Sequence, residues 1–262
     1  MKEPSPSQLL DTVADLLQKG AAFAICTVVR PPQAAGAKVV LAADSGFVAA
    51  SHAAPQALVA SSELAQAARR QISEGVSRTV AVGEHEVFID VCIPSPRLLI
   101  VGAVHIAMAL CAMATLSGFE VTVIDPRPTL NDRERFPKAK ELRVGWPEDE
   151  LPQLRMDDNT YVAVLTHDEK FDDPTILYAL PRATRYVGAI GSKKTQALRR
   201  ERLAAAGLST EQIGRLRGPI GLDIGAQTPE EIAVAILSEM IAAKYHRDGK
   251  PLRDRSERHI HV

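Results

Sequence analysis

Residues 98–116 read LLIVGAVHIAMALCAMATL, nineteen positions of which only His105 and Thr115 are clearly polar. A stretch this long and apolar has two physical outlets: a membrane span, or the interior of an α/β sheet covered by helices on both faces. Its punctuation favours the second. Residues 98–101 form a short run of strand-forming side chains, Gly102 breaks it, and alanine-rich helix formers follow as far as Gly118, a helix stop. Residues 120–125 then read as a second strand. A strand, tight turn, helix and strand within about 28 residues is half the core of a dinucleotide-type fold. No membrane span is expected.

Pro94-Ser95-Pro96 separates two apolar runs and reads as a linker. Four segments follow: a small α+β domain over 1–93, the linker 94–96, a Rossmann-like domain over 97–246 with a parallel sheet, and a polar tail over 247–262. The fold class is thus α/β. In the small domain, apolar spacing predicts helices over 7–19 and 55–74, strands over 21–29 and 37–43, and a hairpin of 79–82 with 86–92. In the larger one, strands are expected at 141–144, 161–166 and 185–190, alternating with helices over 174–180, 194–206, 210–216 and 229–245. Alternation of this kind argues for a sheet wound on both faces. The last helix opens on Thr228-Pro229-Glu230-Glu231, a cap, a proline at the first helical position and a capping-box glutamate in register.

Charge narrows the partners. With 31 Lys and Arg against 32 Asp and Glu, the chain has no overall field to hold nucleic acid or an anionic membrane. Cys26, Cys92 and Cys111 are an odd number without CxxC spacing, which argues against a disulfide framework or a cysteine-based zinc site. All three lie in apolar runs and read as inert core residues. The first residues contain no apolar signal-peptide stretch, so a cytoplasmic setting is expected.

In open α/β sheets ligands bind beyond the carboxyl ends of the strands, so the candidate site residues are those that follow each strand. After the first come Gly102 and His105, with Val104 where the dinucleotide fingerprint wants a second glycine. After the second, Asp125 lies 23 residues beyond Gly102, where a carboxylate usually accepts ribose hydroxyls, with Arg127 close behind. The other reading is a nucleotide-type fold kept without dinucleotide binding. Thr166-His167-Asp168-Glu169-Lys170-Phe171-Asp172-Asp173 places a histidine and four carboxylates within about seven residues, suited to acid/base chemistry or a metal. It is equally a solvated acidic loop, with Asp173 capping a helix from Pro174. Gly191-Ser192-Lys193-Lys194 joins a glycine, an N-cap and two lysines in a first helical turn, where cations are disfavoured unless an anion offsets them. That makes a phosphate cradle, unless both lysines simply face solvent. Asp223, in the glycine-spaced loop 218–225, is either a ligand or an internal cap. No residue has metal-ligand spacing, and no catalytic residue is assigned.

The blocks VAVLTHDEKFDDPTILYAL (162–180), YVGAIGSKKTQALRRERL (186–203) and GPIGLDIGAQTPEEIAVAILSEM (218–240) resemble the C-terminal half of the XdhC/CoxF family. These are accessory proteins of xanthine dehydrogenase and related molybdenum hydroxylases. VTVIDPRP (121–128) fits the same family, and FAICTVVR with GAKVVLAADSG (23–46) is a weaker match to its small domain. The resemblance implies a non-redox role. Such a protein binds molybdenum cofactor, protects it while a cysteine desulfurase sulfurates it, and helps insert it into an apo molybdenum hydroxylase. The cofactor is molybdopterin, a pterin with a phosphate, extended in some forms by a nucleotide. Under that reading Gly191, Ser192, Lys193 and Lys194 meet phosphate, while His105, His167, Asp168 and Asp223 line the remainder. Two other readings compete: an NAD(P)-dependent oxidoreductase, and a ligand-free scaffold acting through protein partners. A homodimer is expected.

Two positions depart from the family's pattern. Val104 replaces the second glycine of the first turn. The family's Gly-Gly-Cys-Val-Glu stretch is replaced by Ser51-His52-Ala53-Ala54-Pro55-Gln56, which has neither the cysteine nor the glutamate. If that cysteine holds molybdenum or shuttles sulfur in relatives, this chain does not do so in that way.

Overall fold

A sheet whose strands alternate apolar side chains to both faces must be covered twice, and both units of this chain solve that problem with helices. The computed structural model describes residues 6–43, 46–51 and 53–254, and the chain divides into two units, Met1–Pro94 and Ser95–Val262. The unit boundary falls within the proline pair. Residues 255–262 of the expected polar tail, and His52, lie outside the described residues.

The first unit runs α1 (Pro6–Gln18), β1 (Phe23–Arg30), β2 (Lys38–Ala42), β3 (Gly46–Ala50), α2 (Gln56–Val59), α3 (Ser62–Glu74), β4 (Arg78–Val82) and β5 (His85–Cys92). Its strands pair antiparallel in the order β3-β2-β1-β5-β4. On β1, Ala24, Cys26 and Val28 pack beneath Leu64, Ala68 and Ile72 of α3, while Phe23 packs with Leu16 of α1 on the opposite face. The single helix expected over 55–74 is broken instead. The Ser61 hydroxyl accepts the Leu64 N–H at 3.1 Å and starts a new helix. β3 lies where the sequence pattern predicts no strand: Gly-Phe-Val-Ala-Ala has one β-branched residue, and pairing with β2 makes the strand.

The second unit runs β6 (Arg97–Val101), α4 (His105–Leu116), β7 (Glu120–Ile124), β8 (Glu141–Arg143), α5 (Pro147–Glu150), β9 (Thr160–Val164), α6 (Glu169–Ala179), β10 (Tyr186–Ala189), α7 (Lys193–Ala205), α8 (Thr210–Gly214), β11 (Leu216–Arg217) and α9 (Pro229–Lys244). All its strands are parallel, in the order β11-β10-β9-β6-β7-β8. Leu98 and Ile100 point to a core built with α4 and α9, whereas Leu99 and Val101 point to one built with α6, α7 and α8. This two-sided burial explains the apolar stretch at 98–116. No helix among the described residues is long and apolar enough to cross a membrane.

Two expectations in this unit need correction. α6 begins at Glu169 and not at Pro174, because Asp168 caps it by accepting the Lys170 N–H at 3.0 Å. Pro174 therefore lies inside the helix, at the cost of one helical hydrogen bond. The helix read over 210–216 ends at Gly214, and Leu216–Arg217 joins the sheet edge beside β10.

Candidate functional site

In the order β8-β7-β6-β9-β10-β11 the chain winds outward from β6 in one direction, returns, and winds outward from β9 in the other. The reversal lies between β6 and β9, and the carboxyl end of such a reversal is where the ligand crevice of these sheets lies. Gly102 follows β6 there with φ +106°, and a Cβ on it would stand 2.5 Å from Thr166 Cγ2 and 3.2 Å from the Thr166 nitrogen. Only glycine lets the turn after β6 lie against the loop after β9. On that second loop, His167 is exposed and holds a left-handed backbone with φ +63°, uncommon outside glycine.

The two helix starts on these loops differ in what they leave open. α4 has Val104 at its N-cap and no side-chain cap, so its first amides lack a side-chain partner, and His105 beside them is exposed. Val104 packs partly against the α4–α9 core. At α7, Ser192 accepts the Thr195 N–H at 3.1 Å and bonds its hydroxyl at 2.9 Å, so Ser192 serves the helix itself. Gly191 before it has φ +135°. Lys193 and Lys194 are exposed, and no acid lies in that first turn to neutralise them. Among the described residues neither lysine forms an ion pair within 4.0 Å. Two unpaired ammonium groups at the positive end of a helix suit an anionic ligand.

Asp125 requires a correction. It is buried, with 1% exposure. Its oxygens accept the Ala103 N–H at 2.8 Å, the Arg127 N–H at 3.0 Å, Arg127 Nε at 2.9 Å and Arg127 Nη2 at 2.7 Å. The carboxylate is spent on holding the turn after β6 and does not face a ribose. Burial alone would raise its pKa, but the Arg127 guanidinium and the two N–H groups outweigh that and hold it below the ordinary value. Arg127 is about half exposed, and its bonds to Asp125 hold its guanidinium above the ordinary value.

The acidic run after His167 also separates. Asp168 caps α6 and Asp173 pairs with Arg202 at 2.6 Å. Asp172 is fully buried, accepting the Thr166 hydroxyl at 2.5 Å and Arg199 Nη2 at 2.6 Å. Burial pushes the Asp172 carboxyl up, against the pull of Thr166 and Arg199. The expected capping of a helix by Asp173 is therefore wrong, and Thr166 is bound up in loop structure. No group of three or more His, Cys, Asp or Glu among the described residues could hold a metal ion.

Arg199 escaped sequence reasoning. It is 2% exposed and donates to the Ile190 carbonyl at 3.0 Å and to Gln196 Oε1 at 2.9 Å, besides Asp172. Gln196 in turn donates to the carbonyls of Ala189 at 2.9 Å and Ile190 at 3.1 Å. Thr166, Asp172, Arg199 and Gln196 thus tie the β9 loop to the β10 loop that carries Gly191 and Ser192. A Cβ on Gly218 would run into the Gln196 amide, so the β11 loop closes on the same group. That loop is fastened by the Ile220 N–H to the Ala189 carbonyl at 3.1 Å, and it leaves Asp223 exposed without bringing it to any residue of the crevice. Within RRERL, Arg199 looks like any solvated helix face. The one signal for it is Asp172, two positions before a proline, on a loop where too many acids gather.

Two of the three thiols are buried. Burial pushes Cys26, in the first unit, up to about 12 and Cys111, inside α4, up to about 11. The replaced stretch 51–56 follows β3 in the first unit and leads into α2.

Residues 98–240 match the XdhC Rossmann domain. The chain is 33% identical over 157 residues to a probable xanthine dehydrogenase subunit of Bacillus subtilis, covering 60% of this chain and 46% of that protein. It is 26% identical over 155 residues to the molybdenum cofactor insertion chaperone PaoD of Escherichia coli, covering 59% of this chain and 42% of that protein. The matched segments thus span less than half of either relative. A crystal structure described as a xanthine dehydrogenase from Bacillus halodurans shares the fold, with a TM-score of 0.54 at 20% identity over 94% of this chain and 97% of that one. With more than half of its length inside the family's Rossmann domain, the chain belongs to the XdhC family.

Proposed function

We propose that the Ser95–Val262 unit binds molybdenum cofactor as cargo, and that the chain assists its sulfuration and its insertion into an apo molybdenum hydroxylase of the xanthine dehydrogenase or CO dehydrogenase type. The observation that carries this reading is the pair of exposed lysines, Lys193 and Lys194, at an acid-free helix start beside the crevice. The cargo's phosphate meets Lys193, Lys194 and the Gly191–Ser192 main chain. A nucleotide-extended form brings a second phosphate, for which the uncapped amides of α4 are the matching donors. His105, Arg127 and His167 are exposed at the crevice rim and supply the remaining polar contacts.

The name of the Escherichia coli relative supports the cargo, and that of the Bacillus subtilis relative supports the client class. An NAD(P)-dependent oxidoreductase is disfavoured by Asp125, whose oxygens are already occupied by Ala103 and Arg127. A homodimer, contact with a cysteine desulfurase and a cytoplasmic setting belong to the same proposal.

The test is delivery. The purified chain is loaded anaerobically with molybdenum cofactor and mixed with an apo-hydroxylase, and the appearance of hydroxylase activity is timed against free cofactor. Faster and more complete activation by the loaded chain is expected, with weaker activation from K193A/K194A. Activation no better than free cofactor would overturn the proposal.

A further inference from the structure

Trp146, the chain's single tryptophan, follows β8 at the same carboxyl edge of the sheet as the crevice loops. It is 42% exposed, and its ring lies face to face with that of Phe171, with centroids 4.8 Å apart and planes 15° apart. Phe171 is buried, so one face of the indole is backed by the core while the side chain as a whole stays partly open to solvent.

The turn that presents this ring is built to hold it. Gly145 has no Cβ where one would collide with Glu150. The Trp146 carbonyl accepts the N–H groups of Asp149 at 3.0 Å and Glu150 at 3.1 Å, and Pro147 opens α5 directly behind it. Arg143 and Glu150 close the turn with an ion pair at 2.9 Å. An exposed aromatic face is costly to leave in water, and here it stands on a rigid support.

Its neighbours place it beside the candidate site. The Asp125 N–H donates to the Arg143 carbonyl at 3.2 Å, so the segment carrying Trp146 leaves the sheet next to the one carrying Arg127. Phe171 lies in the first turn of α6, the helix that Asp168 caps at the end of the loop after β9. A partly exposed indole and a half-exposed guanidinium thus stand on neighbouring strand-end loops.

We propose that Trp146, backed by Phe171, is the stacking platform for the flat heteroaromatic part of the ligand, with Arg127 beside it for that part's polar edge. The proposal rests on the reading that this unit takes a phosphorylated pterin. Either the pterin ring or the base of a nucleotide extension supplies the required chemistry, and the test separates them.

The full chain, W146F and W146L are titrated calorimetrically with a pterin monophosphate, and separately with CMP and GMP. W146L should lose about tenfold in affinity, the 1.4 kcal/mol equivalent of modest ring stacking, while W146F stays close to wild type. Loss in the pterin arm assigns the platform to the pterin, and loss confined to the nucleotide arm assigns it to the base. Acrylamide quenching of the lone tryptophan gives a reading that needs no variant: saturating ligand should shield the indole. Wild-type binding with unaltered quenching and an unaffected W146L overturns the platform alone. A wild-type chain that binds none of the three ligands overturns the pterin-phosphate reading, and the platform falls with it.

Discussion

Asp125 and Asp172 are both buried carboxylates on strand-end loops, and their surroundings pull them in opposite directions. The folded pKa of Asp125 lies below the ordinary value. Such a group contributes stability that is complete above its unfolded pKa, about 4, and is lost as the pH falls through the lower folded value. Asp125→Asn should therefore cost about 2 kcal/mol at neutral pH and flatten the acid limb of the stability profile, as read by urea unfolding across that range. An unchanged acid limb would show that Asp125 does not hold the turn. Asp172 is raised by burial, and it keeps its place through Arg199 and Thr166. Arg199→Met should cost about 3–5 kcal/mol, because it leaves a buried carboxylate without its partner. Thermal or urea unfolding measures it, and a loss below about 1 kcal/mol would contradict the buried link between the β9 and β10 loops. These two residues also mark what a sequence can convey at this scale. Asp125 stands out because it directly follows a strand, and Lys193 because it opens a helix just beyond one. Arg199 becomes distinctive only when the fold turns one face of α7 inward onto Ile190 and Asp172.

Helix starts are legible where a polar cap and a hydrophobic run coincide. Thr228 accepts the Glu231 N–H at 3.2 Å and Glu231 reaches back to the Thr228 N–H at 3.0 Å, the reciprocal pair that the sequence announces. Ser192 caps α7 in the simpler way, by accepting the Thr195 N–H. The start of α6 misleads because Asp168 and Asp173 are both plausible caps and Pro174 favours the later one; the hydrogen bonds decide for the earlier. β3 and β11 are short edge strands whose pairing comes from their neighbours, so neither has a pattern of its own. The turn between β6 and α4 is the element on which the site depends most. Gly102→Ala should introduce backbone strain of about 1–3 kcal/mol and push the turn away from Thr166. A lowered thermal midpoint together with weakened ligand binding is expected. A variant matching wild type in both would mean that the two loops need not lie so close.

At the scale of the whole chain, near-neutral charge conceals an uneven distribution: residues 1–93 carry seven basic and nine acidic side chains, and the lysine pair stands in the second unit. That unit has its own sheet and two cores of its own. Residues 95–262 alone should therefore fold, judged by circular dichroism and a cooperative melt, and bind a pterin monophosphate within a few-fold of the full chain. Binding lost with the fold intact would assign an essential part of the site to residues 1–94. The apolar run at 98–116, which first suggested a membrane span, is the inner strand and inner helix of this unit. The central claim is that this edge of the sheet holds molybdenum cofactor through the Lys193–Lys194 helix start. The most direct test is to purify the chain and K193A/K194A, without oxygen, from a host that makes the cofactor, and to measure molybdenum and oxidised pterin per chain. Molybdenum and pterin together are expected on the wild type, with a loss of both on an equally stable double variant. Pterin absent from the wild type, or retained in full by the variant, would contradict it.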